Sequence, residues 1–171
     1  MVPVVNGAGA PGSGGSVPVP VAVEPPLSGS PSFTLGLHGA LGGAEAVLVI
    51  DAVEPAAEAV IPATGSFARV VATLQGGGAG AGFGSATLVI PTDAALIGRT
   101  LHGRWYVSDP EAAGGVAYSA AFSFKVFGAN AAGLLAVDPV TPALPRALRL
   151  APGRPTPFSS STLISYELYS V

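Results

Sequence analysis

Between residues 32 and 127, hydrophobic side chains recur at every second position in short runs that clusters of glycine and proline separate. Phe33, Leu35 and Leu37 alternate with smaller or polar residues, and Phe122 and Phe124 lie in a run of the same kind. A period of two is typical of β-strands with one buried face. The pattern predicts strands at 32–38, 45–53, 57–61, 66–74, 85–90, 100–108, 116–127, 134–137, 146–150 and 161–169.

Helical patterning is confined to residues 92–97, which we predict to form a single capped turn after Pro91. Many short strands punctuated by glycine and proline indicate an all-β protein, a single β-sandwich of immunoglobulin-like or jelly-roll type. The residues expected to be buried in its core are Phe33, Leu35, Val47, Val49, Phe67, Leu88, Ile90, Leu101, Phe122 and Phe124.

Residues 1–30, here called the arm, are rich in glycine, proline, serine and valine. In the segment 17–23 the valines occupy odd positions and would share one face of a strand. Pro18 and Pro20 occupy even positions, so one edge of that strand lacks amide donors while the other can still pair. Such a strand completes a sheet edge without propagating further. The candidate subunit-interface residues are Val17, Val19, Val21 and Val23.

Two arrangements of the arm follow from this pattern. An arm of thirty extended residues reaches up to roughly 100 Å, enough to insert a strand into a neighbouring copy. Repeated head to tail, that contact gives a helical filament. The alternative is an arm that folds back along the edge of its own sandwich. The expected organisation is an arm at 1–30, a β-sandwich domain at 31–150 and a C-terminal strand segment at 151–171.

Composition narrows the function classes. Charged residues make up only 10% of the chain, the net charge is -3, and Lys125 is the single lysine. The chain therefore lacks the clustered basic residues with which proteins bind nucleic acids or anionic membrane surfaces. The hydrophobic fraction of 49% argues for a folded chain. The chain has no cysteine, which excludes a disulfide framework and thiolate metal sites. So little charge suggests that neighbouring molecules cover part of the surface.

The charge-free run 70–92 is interrupted by the glycine-rich stretch 76–84 and by Pro91, so it does not predict a membrane span. The first residues have neither a basic start nor an apolar core, unlike a signal peptide. If the protein is exported, its signal peptide is expected to be absent from this numbering. The stretch 76–84 lacks the lysine and spacing of a phosphate loop, and is predicted to be a hairpin loop or a place where another backbone comes close.

No residues form a catalytic constellation. His38 and His102 both lie in predicted strands without a nucleophile motif, and no carboxylates are placed as a glycosidase pair. Asp51, Glu54 and Glu58 are oxygen donors, but they lack the pattern of a calcium loop. The sequence therefore predicts a protein that is not an enzyme, with no catalytic, cofactor-binding or metal-binding residues.

Two Asp-Pro pairs, Asp109-Pro110 and Asp138-Pro139, are interpreted as turn starters.

His102, Arg104 and Trp105 form a candidate surface-binding patch. Trp105 and Tyr106 must point to opposite faces of their strand, so only one of them can belong to such a patch.

The stretch 85–128 resembles a β-sandwich module of large secreted and surface-attached bacterial proteins, whose pattern reads "iP.dpsLiGltlyaQ...lDPga...g.a.Sng..l.iG". The matching residues are Ile90, Pro91, Leu96, Ile97, Gly98, Leu101, Asp109, Pro110, Ala117, Ser119 and Gly128, whereas 102–106 departs from the pattern. The resemblance implies a β-sandwich and an extracellular or cell-surface location.

Residues 150–168 resemble the opening of the C-terminal sorting domain of type IX secretion cargo, typically "PNPFnpsTtI.YeLp". The matching residues are Pro155, Pro157, Phe158, Ser161, Thr162, Ile164, Tyr166, Glu167 and Leu168, with Thr156 in place of the usual Asn. The family continues with further strands, and this chain stops at Val171. The alternative is a simple strand that begins with a proline turn.

Three functions fit these features. The first is a non-enzymatic structural subunit of an extracellular bacterial filament or surface assembly, which polymerises head to tail with copies of itself through the arm. The second is a carbohydrate- or surface-binding module, for which glycans are the partners. The third is an accessory domain of a larger secreted enzyme.

Overall fold

The computed structural model describes residues 3–22, 24–128, 147–150 and 166–169. Antiparallel β-strands dominate these residues, and helix is limited to single 3₁₀ turns, which confirms the predicted all-β class. The strands are β1 (Val4–Asn6), β2 (Val19–Ala22), β3 (Phe33–Ala40), β4 (Glu45–Asp51), β5 (Ala68–Thr73), β6 (Gly82–Leu88), β7 (Thr100–Ser108), β8 (Val116–Tyr118), β9 (Ala121–Lys125), β10 (Ala147–Leu150) and β11 (Tyr166–Tyr169). The 3₁₀ turns are Ser13–Gly15, Ala94–Leu96 and Ala113–Gly115.

The chain divides into two compact units, Met1–Ala131 and Ala132–Val171. The first contains a six-stranded sheet in the order β1-β9-β7-β4-β5, with β8 also paired to β7, and a three-stranded sheet in the order β2-β3-β6. The second contains the antiparallel pair β10-β11. The arm strands therefore belong to the same unit as β3 to β9, whereas the sequence placed boundaries after residues 30 and 150.

One continuous hydrophobic core joins the inner faces of the two sheets and makes the first unit sandwich-like. Phe33 of the three-stranded sheet packs on Phe124 of the six-stranded sheet, with ring centroids 5.1 Å apart. Nine of the ten predicted core residues are buried, and Phe67 is half-buried against the same core. Val47 and Val49 are buried in a separate cluster on the outer face, and Ala46, Leu48 and Ile50 of the same strand face the core between the sheets. Period-two patterning therefore predicted burial correctly, but it assigned the wrong face of this strand to the core.

The outer face of the six-stranded sheet is also covered, so β4 is buried on both faces from residue 46 to residue 50. Val47, Val49 and Tyr106 form a second cluster there, and Ile61 from the connection between β4 and β5 packs on it. This connection, residues 52–67, contains the predicted strand 57–61. That prediction is wrong, because the segment folds as an irregular cover over the sheet.

The predicted strand 116–127 is interrupted at Ser119, which separates β8 from β9. The Ser119 hydroxyl accepts from the Trp105 amide at 3.1 Å and donates to the Ala120 carbonyl at 2.7 Å. Side-chain bonds to the backbone of this kind compete with a regular ladder. The predicted turn at 92–97 is confirmed, because Asp93 caps Ala94–Leu96 by accepting from the Ala95 amide at 2.8 Å.

The glycine-rich stretch 76–84 combines both predicted roles. Gln75 and Phe83 exchange backbone hydrogen bonds of 2.8 and 3.0 Å, which closes a hairpin-like loop. Another backbone also approaches it, since the Gly42 amide donates to the Gly78 carbonyl at 2.9 Å. The predicted strand 134–137, the turn at Asp138-Pro139 and residues 151–165 of the sorting-domain resemblance lie outside the described residues.

Candidate functional site

The arm supplies an edge strand to the three-stranded sheet. β2 runs antiparallel to β3, with Val19 opposite His38 and Val21 opposite Gly36. Pro20 lies in the middle of β2, and no strand pairs with its other edge in the part of the chain that the structure describes. A proline at a sheet edge is tolerated where its missing N–H would face away from the ladder. The sequence therefore predicted correctly that this segment can complete a sheet edge.

The candidate interface valines point away from the core. Val17, Val19 and Val21 are 38, 43 and 38% exposed, whereas Ala22 packs against the core and Pro20 is half-buried. Val23 lies outside the described residues. The pairing occurs within one chain, so the described arm adopts the fold-back arrangement, and pairing between copies stays a prediction.

The arm also supplies an edge strand to the six-stranded sheet. β1 runs antiparallel to β9, with Val5 opposite Phe122, and Asn6 Nδ2 donates to Ser123 Oγ at 3.2 Å. β1 was not predicted from the sequence, because three residues are too few for a periodic pattern. The arm thus provides the edge strand at one side of each sheet.

The link between β1 and β2 is bonded to the body of the unit at several points. Ala10 and Tyr118 exchange backbone hydrogen bonds of 2.8 and 3.3 Å. Ser16 Oγ donates to the Gly39 carbonyl at 2.7 Å. These contacts join residues far apart in sequence, and they attach the link to β8 of one sheet and to β3 of the other.

The shortest of these contacts join Ser13 to Asp109. The Ser13 amide donates to Asp109 Oδ2 at 2.6 Å, and the Ser13 hydroxyl donates to Oδ1 at 2.5 Å. Asp109 is only 1% exposed. It also accepts from the Glu111 amide at 3.1 Å, which confirms its predicted role as a turn starter. The contact with the arm is a second role that the sequence did not reveal.

Two opposing effects set the pKa of the Asp109 carboxyl. Burial raises the pKa, but the hydrogen bonds from Ser13, Glu111 and Ala112 favour the charged form and together hold the pKa below its ordinary value of 3.8. Asp109 is therefore a buried carboxylate that its hydrogen-bond donors keep ionised.

An apolar cleft of about 240 Å³ opens between β1 and β2. Leu35 and Phe122, which are 1% and 2% exposed, belong to the core and reach this cleft. The remaining lining residues all come from the arm: Pro3, Val5, Pro20, Val21 and Ala22. The arm therefore covers these core residues and provides most of the lining of the cleft.

The predicted surface-binding patch is not a surface. Trp105 is fully buried in the inner core and Arg104 is 2% exposed on the outer face, beneath the 52–67 connection. His102 is half-buried. The alternation of Trp105 and Tyr106 was predicted correctly, since they belong to different clusters. The patch prediction failed because no local pattern indicates that a loop covers this face.

Arg104 instead organises the outer face. Its Nε donates to the Pro55 carbonyl at 3.1 Å and its Nη1 to the Ser119 carbonyl at 2.7 Å, while Nη2 forms an ion pair of 3.2 Å with Glu54. The guanidinium also lies 5.3 Å from the centroid of the Tyr118 ring. These bonds satisfy a charge that would otherwise be costly to bury.

The carboxylates considered as calcium ligands have other partners. Asp51 accepts from the hydroxyl of Ser66, which lowers the pKa of Asp51, and Glu54 pairs with Arg104. Among the residues that the structure describes, no three His, Asp or Glu side chains are grouped as metal ligands would be. Nδ1 of His102 and Nε1 of Trp105 are buried without a hydrogen-bond partner in the described residues.

Comparison with protein-family models, with curated proteins and with solved structures finds no match to this chain. None of the helices in the described residues is long and apolar enough to cross a membrane.

Proposed function

We propose that the protein is a non-enzymatic structural subunit of an extracellular bacterial filament or surface assembly. Copies join head to tail when the arm of one subunit extends and supplies its strands to the next. In this proposal the subunit is a β-sandwich of immunoglobulin-like or jelly-roll type, and its partners are copies of itself. Its extracellular location rests on the two sequence resemblances.

The observation that carries the proposal is the position of the arm. β1 and β2 are the outermost strands of two different sheets, and both come from the first 22 residues. A strand that completes the edge of its own sheet makes the same contacts when it completes that edge in a second copy. Without the arm, β9 and β3 would become open edges, which natural proteins avoid.

The last part of the arm, after β2, is suited to act as the hinge of such an exchange. Pro25 and Pro26 follow β2, and the Phe127 amide donates to the Pro26 carbonyl at 2.9 Å, which fixes the base of the arm. An extended chain of the 24 residues before Pro25 reaches roughly 80 Å. The arm is therefore long enough to leave its own sandwich while its base stays attached.

The prolines also favour a chain of subunits over a growing sheet. Because Pro18 and Pro20 lack amide hydrogens, the outer edge of β2 is a poor template for a further strand. Exchange would thus add one strand per sheet edge and stop. The alternative of a carbohydrate- or surface-binding module loses its main support, because Arg104 and Trp105 are buried.

A disulfide between register partners separates pairing within a chain from pairing between chains. Val19 and His38 are opposite each other on the exposed face of β2 and β3, and the native chain has no cysteine. A double variant V19C/H38C, oxidised in assembled material, should give a ladder of cross-linked chains on a non-reducing gel. The control V19C/T87C pairs two positions that are not opposite each other. Only monomers in the V19C/H38C lanes would rule out arm exchange.

Deletion of residues 1–24 provides an independent test. Filaments seen by electron microscopy for the full chain should be absent for the shortened chain, whose β content is checked by circular dichroism. Filaments that persist in the shortened chain would exclude the arm as the connection.

A further inference from the structure

Asp109 binds the arm in a way that differs from the two strand pairings. β1 and β2 pair through the backbone, and backbone pairing accepts many sequences. At Asp109, by contrast, a buried carboxylate accepts both the amide and the hydroxyl of one serine, Ser13, which is itself only 7% exposed. This contact therefore depends on which residue the arm presents.

Gly12 adds a second requirement. A Cβ atom placed on Gly12 would stand 2.2 Å from Asp109 Oδ2 and 3.1 Å from the Ala117 Cβ. The backbone of Gly12, with φ -102° and ψ -155°, is one that any residue adopts. Glycine is needed here because the carboxylate leaves no room for a Cβ atom, whereas the backbone conformation would allow any residue.

The buried charge of the Asp109 carboxylate is stabilised in part by hydrogen bonds from the arm. Of the hydrogen bonds to this carboxylate, those from Ser13 come from the arm, and those from the Glu111 and Ala112 amides come from its own turn. A buried charge that loses hydrogen bonds is destabilised by far more than an exposed one. An arm that presents any residue other than glycine before the serine would leave Asp109 short of donors.

We propose that Asp109 is a recognition site for a Gly-Ser dipeptide in an extended segment, and that it selects which arm, the chain's own or that of a second copy, completes the two sheets. The part that concerns a second copy rests on the proposed function. The site selects for a residue without a side chain at position 12 and for a residue with a hydroxyl group at position 13.

Two substitutions test the site in the full chain: G12A adds a methyl group next to the carboxylate, and D109A removes that carboxylate. Donor chains carry V19C together with D109A, so that G12A does not change how a donor's arm binds its own sandwich. Acceptor chains carry H38C, so that a disulfide between the two reports an arm docked on another copy. Acceptors also carry G12A, which keeps their own arms out. Adding G12A to the donor should lower the yield of mixed dimer by about 10- to 100-fold, the value of one or two bonds to a charged group.

Replacing Asp109 in the acceptor should reverse that effect. D109A removes the oxygen that the new methyl group would contact, so donors with and without G12A should then differ by less than about 3-fold. The donor control S16A deletes the arm's hydroxyl bond to the Gly39 carbonyl and leaves Gly12 and Ser13 intact. Equal losses from donor G12A with acceptors that keep Asp109 and with acceptors that carry D109A would overturn the proposal.

A measurement within one chain separates this inference from the proposed function. If no pairing of donors and acceptors gives a mixed dimer, arm exchange fails, and hydrogen exchange of the Ala10 amide, which donates to the Tyr118 carbonyl, then decides the recognition site. Protection of that amide should fall in G12A and recover at least in part in G12A/D109A, whereas G77A, which adds a methyl group in open space, should change nothing. No recovery in the double variant would overturn the recognition site.

Discussion

Arg104 Nη1 donates to the carbonyl oxygen of Ser119 at 2.7 Å, and both residues are buried on the six-stranded sheet. The same guanidinium donates to the Pro55 carbonyl, so it links the break between β8 and β9 to the 52–67 connection. A guanidinium has five donors in a fixed fork, which suits it to bind carbonyls from several segments at once. We conclude that Arg104 holds the outer cover in place.

Truncation of Arg104 should therefore be costly. R104A leaves buried carbonyl oxygens without donors and is expected to lower the free energy of unfolding by about 2–4 kcal/mol. R104K, which keeps the charge but loses the fork, should fall between R104A and the native chain. Urea unfolding of the three proteins measures the order.

The matched control is Glu54, whose side chain is 46% exposed. E54Q removes the charge partner of Arg104 but should cost less than about 1 kcal/mol, because exposed ion pairs contribute little. An equal loss of unfolding free energy in E54Q and R104A would mean that the ion pair, rather than the bonds to the carbonyls, accounts for the stabilisation by Arg104.

Arg104 also shows what the sequence could and could not predict. The strand 100–108 was predicted with its observed bounds, because alternation is a local property. The sequence assigned Arg104 to a surface patch, because nothing local reveals that residues 52–67 cover that face. The same limit applies to the arm: Ser13 and Asp109 are 96 residues apart, and only the folded chain brings them together.

The arm itself was predicted in part for the same reason. Proline spacing and alternating valines identified β2 as an edge strand, since both are local features of residues 17–23. They do not specify which edge the strand joins. β1 and the Ser13 contact leave no periodic or compositional signal, so the join to both sheets emerged only from the structure.

The Asp109 contact should appear in the acid limb of the stability curve. The folded-state pKa of Asp109 is below 3.8, so its contribution to stability is present above that pH and is lost as the pH falls through the folded value. D109N should therefore be less stable than the native chain at neutral pH and should lose less stability below pH 3.8. Thermal unfolding at a series of pH values measures both.

Ser13 provides the finer test of the same contact. S13A removes the hydroxyl bond that favours the charged form, so the pKa of Asp109 should rise towards its ordinary value. D51N is the control, because the pKa of Asp51 is lowered by Ser66 and this carboxyl contributes to the same pH range independently. An unchanged carboxyl titration of Asp109 in S13A would contradict the assigned cause.

Tyr106 should dominate the alkaline limb. Burial raises its pKa to about 12, with Arg104 lowering it and Glu58 raising it to smaller extents, and its hydroxyl donates to the Ala56 carbonyl at 2.6 Å. Because the unfolded chain ionises this tyrosine near pH 10.0, stability should fall as the pH rises from there towards about 12.

Y106F should flatten that alkaline loss, measured by unfolding at fixed pH steps alongside phenolate absorbance. Y118F removes the neighbouring hydroxyl, which donates to the Ala57 carbonyl, and should leave the Tyr106 contribution in place. A native chain whose tyrosines all ionise near pH 10.0 while it remains folded would contradict the predicted burial.

Gly76 and Gly77 are adjacent, yet alanine at the two positions should have opposite consequences. Gly76 has φ +93°, and a Cβ there would stand 2.1 Å from the Ala81 carbonyl oxygen, a backbone atom of the same hairpin-like loop that cannot simply rotate aside. G76A combines a disfavoured backbone conformation with this clash, and should cost at least about 2 kcal/mol. Gly77 has no atom within 4 Å of the added methyl group and needs no positive φ. G77A should therefore be neutral or stabilise by up to about 1 kcal/mol, because alanine restricts the unfolded chain. Urea unfolding of the two variants compares them directly, and equal stabilities would show that this loop does not hold its backbone as closely as the structure places it.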